Sequence, residues 1–390
     1  MASHAGEKPA IKKAFIPEFE GLRGLLAAWV ILGHILLVSG FDYQDGWFGI
    51  LFSPVLGVYV FMILSGFVIT AALDQRPTSW VDFMTRRFFR LFPTYAVCML
   101  LAIILFPASI QLAQAPALAN FGAQDIERLA DVEKNFGLYL LADATLLQCL
   151  LPRFWFPAAH ESFLVPTWSL TLEWLFYLIA PFVVWLIRRN KPMAVAVAVL
   201  FLGIVWQGET LFTAINRSFN LGNAFHFLTG ICSYYIWKHL PEFHSGWTGK
   251  SLFWSAAAIA FAFLGLPYKI WVCLLVLLMY RRGSSKETFL LEWPRRLLLS
   301  RPFQYLGECS YVAYLLHWNL ITIVAFWMTF FFPSLTDKYQ ITIFLLVLVY
   351  PLTYISSCFL QRHLELPLME WPKRWRKRNN LALVPNTEHA

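Results

Sequence analysis

The chain has 390 residues, of which 58% are hydrophobic and only 14% charged, and its net charge is +8. A soluble protein has roughly a quarter of its residues charged, so this composition excludes a soluble globular protein and favours the lipid bilayer as the solvent of the chain. Basic loops that face anionic lipid headgroups account for the positive charge, and we expect no nucleic-acid partner. The cysteines form no Cys-x-x-Cys pair and indicate neither a zinc site nor a disulfide framework.

About ten apolar stretches are candidates to cross the bilayer. They lie near residues 22–39, 54–72, 92–110, 164–187, 193–208, 220–237, 251–266, 268–280, 303–332 and 341–361. Several are short or run together, so the count is ten give or take one. Segment 137–151 is interrupted by Asp143 and is expected to be re-entrant or interfacial. The sequence thus predicts an all-α, polytopic transmembrane bundle.

Lysine and arginine are unequally divided between the two sets of loops. If the N-terminus lies inside the cell, most of the 31 Lys and Arg fall in the cytoplasmic pieces. We therefore expect both termini in the cytoplasm and the chain in the inner (cytoplasmic) membrane. The predicted parts are a cytoplasmic tail at 1–20, a transmembrane domain at 21–362 and a basic cytoplasmic tail at 363–390.

The first apolar stretch carries two ionisable residues on one face. Arg23 and His34 are eleven residues apart, which is three helical turns and about 16 Å along the axis. This spacing predicts Arg23 at the cytoplasmic edge and His34 near the midplane. Such residues inside a bilayer are costly and mark a function or a partner. The structural alternative is an arginine that reaches the headgroups and a histidine that bonds a neighbouring helix.

Two further groups lie in the next apolar segments. Arg87 and Arg90 are three residues apart in a predicted cytoplasmic loop, where a short helix would place both guanidinium groups on one face suited to phosphates. Glu173, with Ser169 four residues before it, must be paired or protonated inside the bilayer, and could accept the ring N–H of His34. For the arginines the structural alternative is ordinary positive-inside charge, and for Glu173 it is a hydrogen bond to a facing helix.

A polar stripe occurs late in the chain. Ser310, Tyr314 and His317 follow the spacing i, i+4, i+7, which lines either a cavity or a helix contact. His226 and Asn223 give a weaker signal of the same kind. The sequence shows neither a metal-binding cluster nor a nucleotide-binding loop.

Five segments, in order, resemble the membrane-bound acyltransferase family three, the bacterial integral-membrane O-acyltransferases. The first-helix signature is a basic residue, ten residues and a histidine, which E-G-L-R-G-L-L-A-A-W-V-I-L-G-H matches. F-M-I-L-S-G-F-V-I-T, R-R-F-F-R-L-F-P, W-S-L-T-L-E-W-L-F-Y and G-E-C-S-Y-V-A-Y-L-L-H-W resemble the others. Three positions depart from the family pattern. Glu20 stands where the family often has Asp, and G-N-A-F-H-F-L-T-G stands where it often has an Arg. The segment E-L-P at 365–367 stands where the family has E-K-P. We expect a stand-alone form, without the hydrolase-like C-terminal domain of some relatives.

The resemblance implies transfer of an acyl group, usually acetyl, from acyl-CoA to a hydroxyl, typically of a surface glycan. Acyl-CoA would be a co-substrate, and no cofactor would be bound. The implied general base is His34, with Glu173 setting its tautomer. The implied acyl-CoA ligands are Arg23, Arg87 and Arg90, and the implied lining of the acceptor path is Trp168, Ser169, Ser310, Tyr311, Tyr314 and His317.

Two alternatives stay open. An acyl-histidine intermediate is a variant of the same reaction. A proton-coupled transporter or flippase, with His34, Glu173 and His317 as relay residues, is a different class. The arginine segment favours the enzyme, because a transporter has no need of phosphate-binding arginines beside a histidine within the membrane.

Overall fold

The computed structural model describes residues 16–41, 46–76, 78–152, 154–193, 197, 221–243, 265–283 and 289–378. Every regular element within these ranges is helical, which confirms the all-α prediction. The α-helices in chain order are α1 (Pro17–Val38), α2 (Gly46–Phe52), α3 (Pro54–Gln75), α4 (Trp80–Ile104), α5 (Phe106–Ala113), α6 (Ala119–Lys134), α7 (Phe136–Ala144), α8 (Trp168–Arg189), α9 (Ala224–Phe243), α10 (Leu266–Gly283), α11 (Phe289–Leu299), α12 (Arg301–Glu308), α13 (Ser310–Phe331), α14 (Lys338–Leu360) and α15 (Leu366–Arg378). A π-helical turn, Gln361–Glu365, joins α14 to α15.

Among the described residues, six helical stretches are long and apolar enough to cross a membrane. They are Pro17–Val38, Pro54–Gln75, Trp80–Ile104, Val165–Arg189, Ser310–Phe331 and Lys338–Pro372, and Leu266–Leu278 is a shorter apolar helix. The predicted span 220–237 is helical in α9 but is not one of the six. The predicted spans 193–208 and 251–266 lie almost wholly outside the described residues. Ten spans and cytoplasmic termini therefore stay predictions.

The sequence predicted a short loop helix for the arginine segment, which contains Arg87 and Arg90. In the structure this segment is instead part of a long helix. Helix α4 begins at Trp80, where the side chain of Ser79 accepts a hydrogen bond from the backbone N–H of Asp82 at 3.1 Å. This N-cap starts the helix before the arginines, and the apolar stretch continues it without a break. Arg87 and Arg90 therefore extend from the first turns of a helix of membrane-spanning length.

Two other predicted segments have a finer structure. The predicted span 303–332 is divided at Cys309 into α12 and α13, and the hydroxyl of Ser310 donates to the carbonyl of Gly307 at this break, at 2.6 Å. The break lets α12 lie against α1, where a Cβ at Gly24 would come within 2.7 Å of the carbonyl oxygen of Phe303. Segment 137–151 contains only the nine-residue α7 and a short 3-10 turn, which is too short to span.

Helix α1 occupies the middle of the bundle. It packs against α3, α11, α12, α13 and α14, and fourteen of its 22 residues are buried. Helix α3 packs in turn on α8, α9 and α10. Glu18 and His34 of this helix are buried in protein, which is where costly polar groups are expected in a membrane protein.

Candidate functional site

The two histidines predicted to belong to the site, His34 and His317, are in direct contact. Helix α1 carries His34 and α13 carries His317, and Nδ1 of the first lies 3.0 Å from Nε2 of the second. The ring centroids are 5.0 Å apart, and Trp318 packs edge-on against His34 at 5.4 Å. His34 is 7% exposed and His317 fully buried. Residues 283 positions apart in sequence thus form one imidazole pair.

The hydrogen bonds of this pair determine the tautomers of both rings. Nδ1 of His317 lies 3.2 Å from the carbonyl oxygen of Ala313, which can only accept, so this nitrogen carries the hydrogen. In the neutral ring, Nε2 of His317 is then an acceptor, and it accepts from the Nδ1–H of His34. Nε2 of His34 is left with a lone pair. That nitrogen is the one able to take a proton.

Arg23 and His34 both lie on helix α1, as predicted. The helix begins at Pro17 and ends at Val38, so His34 is four residues from the last residue and Arg23 six from the first. The position of His34 near the midplane of the bilayer stays a prediction. The spacing of about 16 Å between the two residues along the axis is unchanged.

A cavity of about 120 Å³ lies between α1, α3, α4, α8, α9 and α13. Seven of the eleven predicted site residues line it, namely Arg23, Arg90, Ser169, Glu173, Ser310, Tyr311 and Tyr314. The other four, His34, Arg87, Trp168 and His317, are outside this lining. Helices distant in sequence therefore bring most of the predicted residues together around one space.

Tyr314 connects the cavity to the histidine pair. Its ring lines the cavity and lies 6.0 Å, centroid to centroid, from His317. Its hydroxyl lies 2.9 Å from the carbonyl oxygen of Pro166 and 2.7 Å from the hydroxyl of Ser169. These bonds fix the tyrosine between the two halves of the site.

Glu173 makes different contacts from those predicted. Its Oε1 accepts hydrogen bonds from Ser65, at 3.2 Å, and from the hydroxyl of Tyr177. Nδ1 of His34 instead meets His317, because α1 presents this face to α13, whereas Glu173 on α8 faces α3. The prediction that Glu173 sets the tautomer of His34 is therefore wrong, and His317 occupies that position.

The three predicted acyl-CoA ligands have different surroundings. Arg23 pairs with Glu20 at 3.3 Å. Arg87 lies over the rings of Phe83, at 5.3 Å, and Tyr177, at 5.1 Å. Since Tyr177 also bonds Glu173, Arg87 adjoins the cavity without lining it.

Arg90 has the most buried partner of the three. It forms an ion pair with Glu365, whose side chain is 1% exposed, and its guanidinium lies 5.3 Å from the ring centre of Tyr311. The hydroxyl of Tyr311 donates to the carbonyl of Leu91 at 2.8 Å, which fixes the ring beneath the arginine.

Sequence reasoning missed three residues of the site. Tyr177 stands at i+4 from Glu173, a spacing that could have identified it on a helix. Glu365 belongs to the E-L-P segment, whose position in the family pattern was the available signal. Ser65 is the serine of the F-M-I-L-S-G-F-V-I-T segment, so its place in the family pattern was again the available signal. The weaker candidate His226 stacks on Tyr59, at 4.2 Å between ring centres, and does not line the cavity.

Comparisons with known proteins identify the family of the chain. A family model described as an acyltransferase domain matches residues 16–362. Acyltransferase MdmB of Streptomyces mycarofaciens is 32% identical over 178 residues, which are 45% of this chain and 40% of that protein. Peptidoglycan O-acetyltransferase OatA of Listeria monocytogenes is 22% identical over 355 residues, which are 80% of this chain and 50% of that protein.

The chain spans half or less of the length of these two relatives. No solved structure matches it. The family match, in contrast, includes all the site residues discussed above except Glu365, the partner of Arg90, which lies three residues beyond its end. The chain therefore belongs to this acyltransferase family, which is the family that its sequence resembles.

Proposed function

We propose that the protein transfers an acyl group, by default acetyl, from acyl-CoA to a hydroxyl of a carbohydrate or glycan acceptor. The observation that carries the proposal is the histidine pair, in which His317 fixes the tautomer that leaves Nε2 of His34 as a base. The family match and a relative named peptidoglycan O-acetyltransferase support acyl transfer and a sugar acceptor. The enzyme would act within the cytoplasmic membrane, with its donor supplied from the cytoplasm.

The arginines suit the donor. CoA carries phosphates, and guanidinium groups bind phosphate through two parallel hydrogen bonds. Arg23 and Arg90 line the cavity and Arg87 adjoins it through Tyr177. The axial spacing of about 16 Å between Arg23 and His34 is comparable to the reach of the pantetheine arm. The donor would thus lie with its phosphates at the arginines and its thioester near His34.

The cavity itself is too small for the whole of such a donor. Its volume of about 120 Å³ is below the roughly 300 Å³ of a small-molecule pocket. Because Tyr314 contacts His317 from the cavity side, we propose that its side chain moves when the donor binds. Glu173, held by Ser65 and Tyr177, would accept a hydrogen bond from the donor or the acceptor inside the cavity.

The proposed step is direct transfer with general-base catalysis. Nε2 of His34 takes the proton of the acceptor hydroxyl while its oxygen attacks the thioester carbon. The carbon–sulfur bond breaks, and the imidazolium returns the proton to the departing thiolate. The ring nitrogen of His317 accepts from Nδ1–H of His34 throughout and stabilises the charged ring. The buried surroundings exclude water and limit hydrolysis of the thioester.

The experiment that tests the function compares cells with and without the gene. Mass spectrometry of the surface glycans should show loss of O-acetyl groups when the gene is absent. The wild-type gene should restore them, whereas a His34→Ala gene expressed to the same level in the membrane should not. Unchanged glycan acetylation would contradict a glycan acceptor and favour a small-molecule acceptor or transport.

A further inference from the structure

Arg90 stands between the cavity and a buried carboxylate. It lines the cavity, and its side chain is 28% exposed, while that of its ion-pair partner Glu365 is 1% exposed. The two ends of the pair are therefore unequal: the cation keeps access to the cavity, and the anion is enclosed by protein. A guanidinium has five N–H donors, so pairing with one carboxylate leaves others for a ligand.

The backbone at Glu365 is irregular in a way that aims this side chain. Glu365 ends the π-helical turn that begins at Gln361. A π turn adds a residue to the helical turn and rotates the residues after it by about 100°, the angle of one residue. A hydrogen bond to α12 stabilises the turn, because the side-chain amide of Gln361 donates to the backbone carbonyl of Glu308, the last residue of that helix. The extra residue thus changes the direction in which Glu365, at the end of the turn, extends toward α4.

The helix after this turn also contacts the arginine segment. The guanidinium of Arg90 lies 3.6 Å from the sulfur of Met369, and the rings of Phe89 and Trp371 are 5.3 Å apart. Helix α15 thereby packs on α4 beside Arg90. Together with the ring of Tyr311 and the carboxylate of Glu365, Met369 gives Arg90 three side-chain contacts besides the cavity that it lines.

We propose that Glu365 is a positioning residue for the acyl donor: it holds the guanidinium of Arg90 toward the cavity, in the orientation that binds acyl-CoA. This inference rests on the proposed function and extends it to the last two elements of the chain. A purely structural ion pair has no need of an exposed cation, and burying a pair seldom adds stability. The exposed face of Arg90 is what a ligand-binding role requires.

The test is a double-mutant cycle read out as binding of CoA to the detergent-solubilised full-length protein. Glu365→Gln keeps the shape of the side chain and removes its charge. It should weaken CoA binding about tenfold, the value of one charge-assisted hydrogen bond of about 1.4 kcal/mol. In the Arg90→Gln background the same change should have little further effect, because the residue that it orients is gone.

The matched control is Glu370→Gln. Glu370 lies on α15 and pairs with Arg374 at 2.6 Å, but its side chain is 57% exposed and is outside the cavity lining. CoA affinity should change less than about twofold, because an exposed pair contributes little. Thermal unfolding of each variant, measured in parallel, identifies any loss of folded protein, and affinities are expressed per folded molecule.

Three outcomes would overturn the inference. Wild-type CoA affinity in folded Glu365→Gln would show that the carboxylate does not orient the donor site. Equal and additive losses in the two backgrounds would show that Glu365 acts independently of Arg90. Absence of CoA binding by the wild-type protein would overturn the proposed function, and this inference with it, so that the two failures are distinguishable.

Discussion

Two buried imidazoles in contact must divide the roles of donor and acceptor between them. Here the carbonyl of Ala313 determines the roles. It can only accept, so His317 donates from Nδ1 and therefore accepts at Nε2. His34 donates into that acceptor, and its Nε2 keeps a lone pair. In many enzymes a carboxylate orients the catalytic histidine; in the mechanism that we propose a second histidine occupies that position, and the pair carries no fixed charge in the apolar bundle.

This arrangement predicts unequal effects of two substitutions at His317. Gln can place its side-chain oxygen near the position of Nε2 and accept from His34, whereas Ala cannot. We expect His317→Ala to lower the rate of acyl transfer by about 100-fold, within the range of lost general-base catalysis, and His317→Gln by about tenfold. Single-turnover rates with acetyl-CoA measure both. Equal rates in the two variants would contradict the tautomer argument.

At the scale of single residues, the sequence predicted which residues lie together better than it predicted their partners. Helical spacing placed Ser310, Tyr314 and His317 on one face, and two of the three line the cavity. The pairing of His34 with His317 could not be predicted, because it depends on how two helices far apart in sequence cross. The same reason explains the incorrect assignment of Glu173, since the position of a residue along α8 does not determine which helix it faces.

Helices α3 and α9 cross closely, and this crossing forms one wall of the cavity. A Cβ at Gly66 would overlap the carbonyl oxygen of Phe227, and one at Gly230 would overlap that of Ile63. Small residues permit such backbone contact between membrane helices. Ser65 and Phe227, the neighbours of these contacts, both line the cavity. The shape of the cavity therefore depends on two glycines that do not line it.

We predict that Gly66→Ala destabilises the protein by about 1–3 kcal/mol, the usual cost of adding a methyl group to a packed interior. Acyl transfer should fall with it, as Ser65 and Phe227 separate. The control is Gly137→Ala on α7, where an added Cβ meets no atom within 4 Å. Thermal unfolding should show that the control is as stable as the wild type, or slightly more so. A stable, active Gly66→Ala would contradict the close crossing.

Helix α7 contains a carboxyl that should make stability depend on pH. Asp143 is fully buried, and burial raises its pKa from 3.8 to about 7, although the donated hydrogen bond of Ser162 opposes the shift. Because the folded protein holds this proton more tightly than the unfolded chain, the stabilisation is complete below pH 3.8. It declines as the pH rises and is lost above about 7.

The measurement is the unfolding midpoint of wild-type protein and Asp143→Asn between about pH 5 and pH 8. Because Asn does not titrate, the wild type should lose stability relative to the variant as the pH increases across this range. The difference between the two midpoints removes the contribution of all other titrating groups. A difference that is constant with pH would show that Asp143 is not protonated in the folded protein near neutrality.

Element boundaries were predicted least well where helices are interrupted or extended. The arginine segment appeared to be a loop because it is polar, but the N-cap at Ser79 extends α4 through it. The break at Cys309 was missed because apolar residues continue on both sides, and hydropathy cannot detect a turn inside an apolar run. The π turn at 361–365 has no local signal, since its effect appears only in where Glu365 points.

On the scale of the whole molecule, composition alone was enough to predict a multi-pass helical membrane protein. Six helical stretches of spanning length confirm that class, and the family match covers the chain from 16 to 362. The number of spans could not be derived, because short and adjoining apolar stretches such as 251–280 can form one element or two. The orientation depends on the distribution of charge and stays a prediction.

The charge asymmetry predicts opposite exposure of two loops. Thr336, between α13 and α14, is predicted outside, and Thr78, between α3 and α4, is predicted inside; both are exposed to solvent. In intact cells a membrane-impermeant maleimide should label Thr336→Cys but not Thr78→Cys, compared with the parent protein. Permeabilised cells should label both. The reverse pattern in intact cells would place the arginines outside and contradict a cytoplasmic acyl-CoA site.

The central claim is that His34 is the base of an acyl transfer for which the arginines hold the donor. The most direct measurement is the rate of acetyl transfer by purified His34→Ala, together with its affinity for CoA. We expect His34→Ala to lose transfer by at least about 100-fold, which is the contribution of a general base. Its affinity for CoA should stay within about twofold of wild type, because the arginines are unchanged. Near-wild-type transfer by this variant would contradict the central claim.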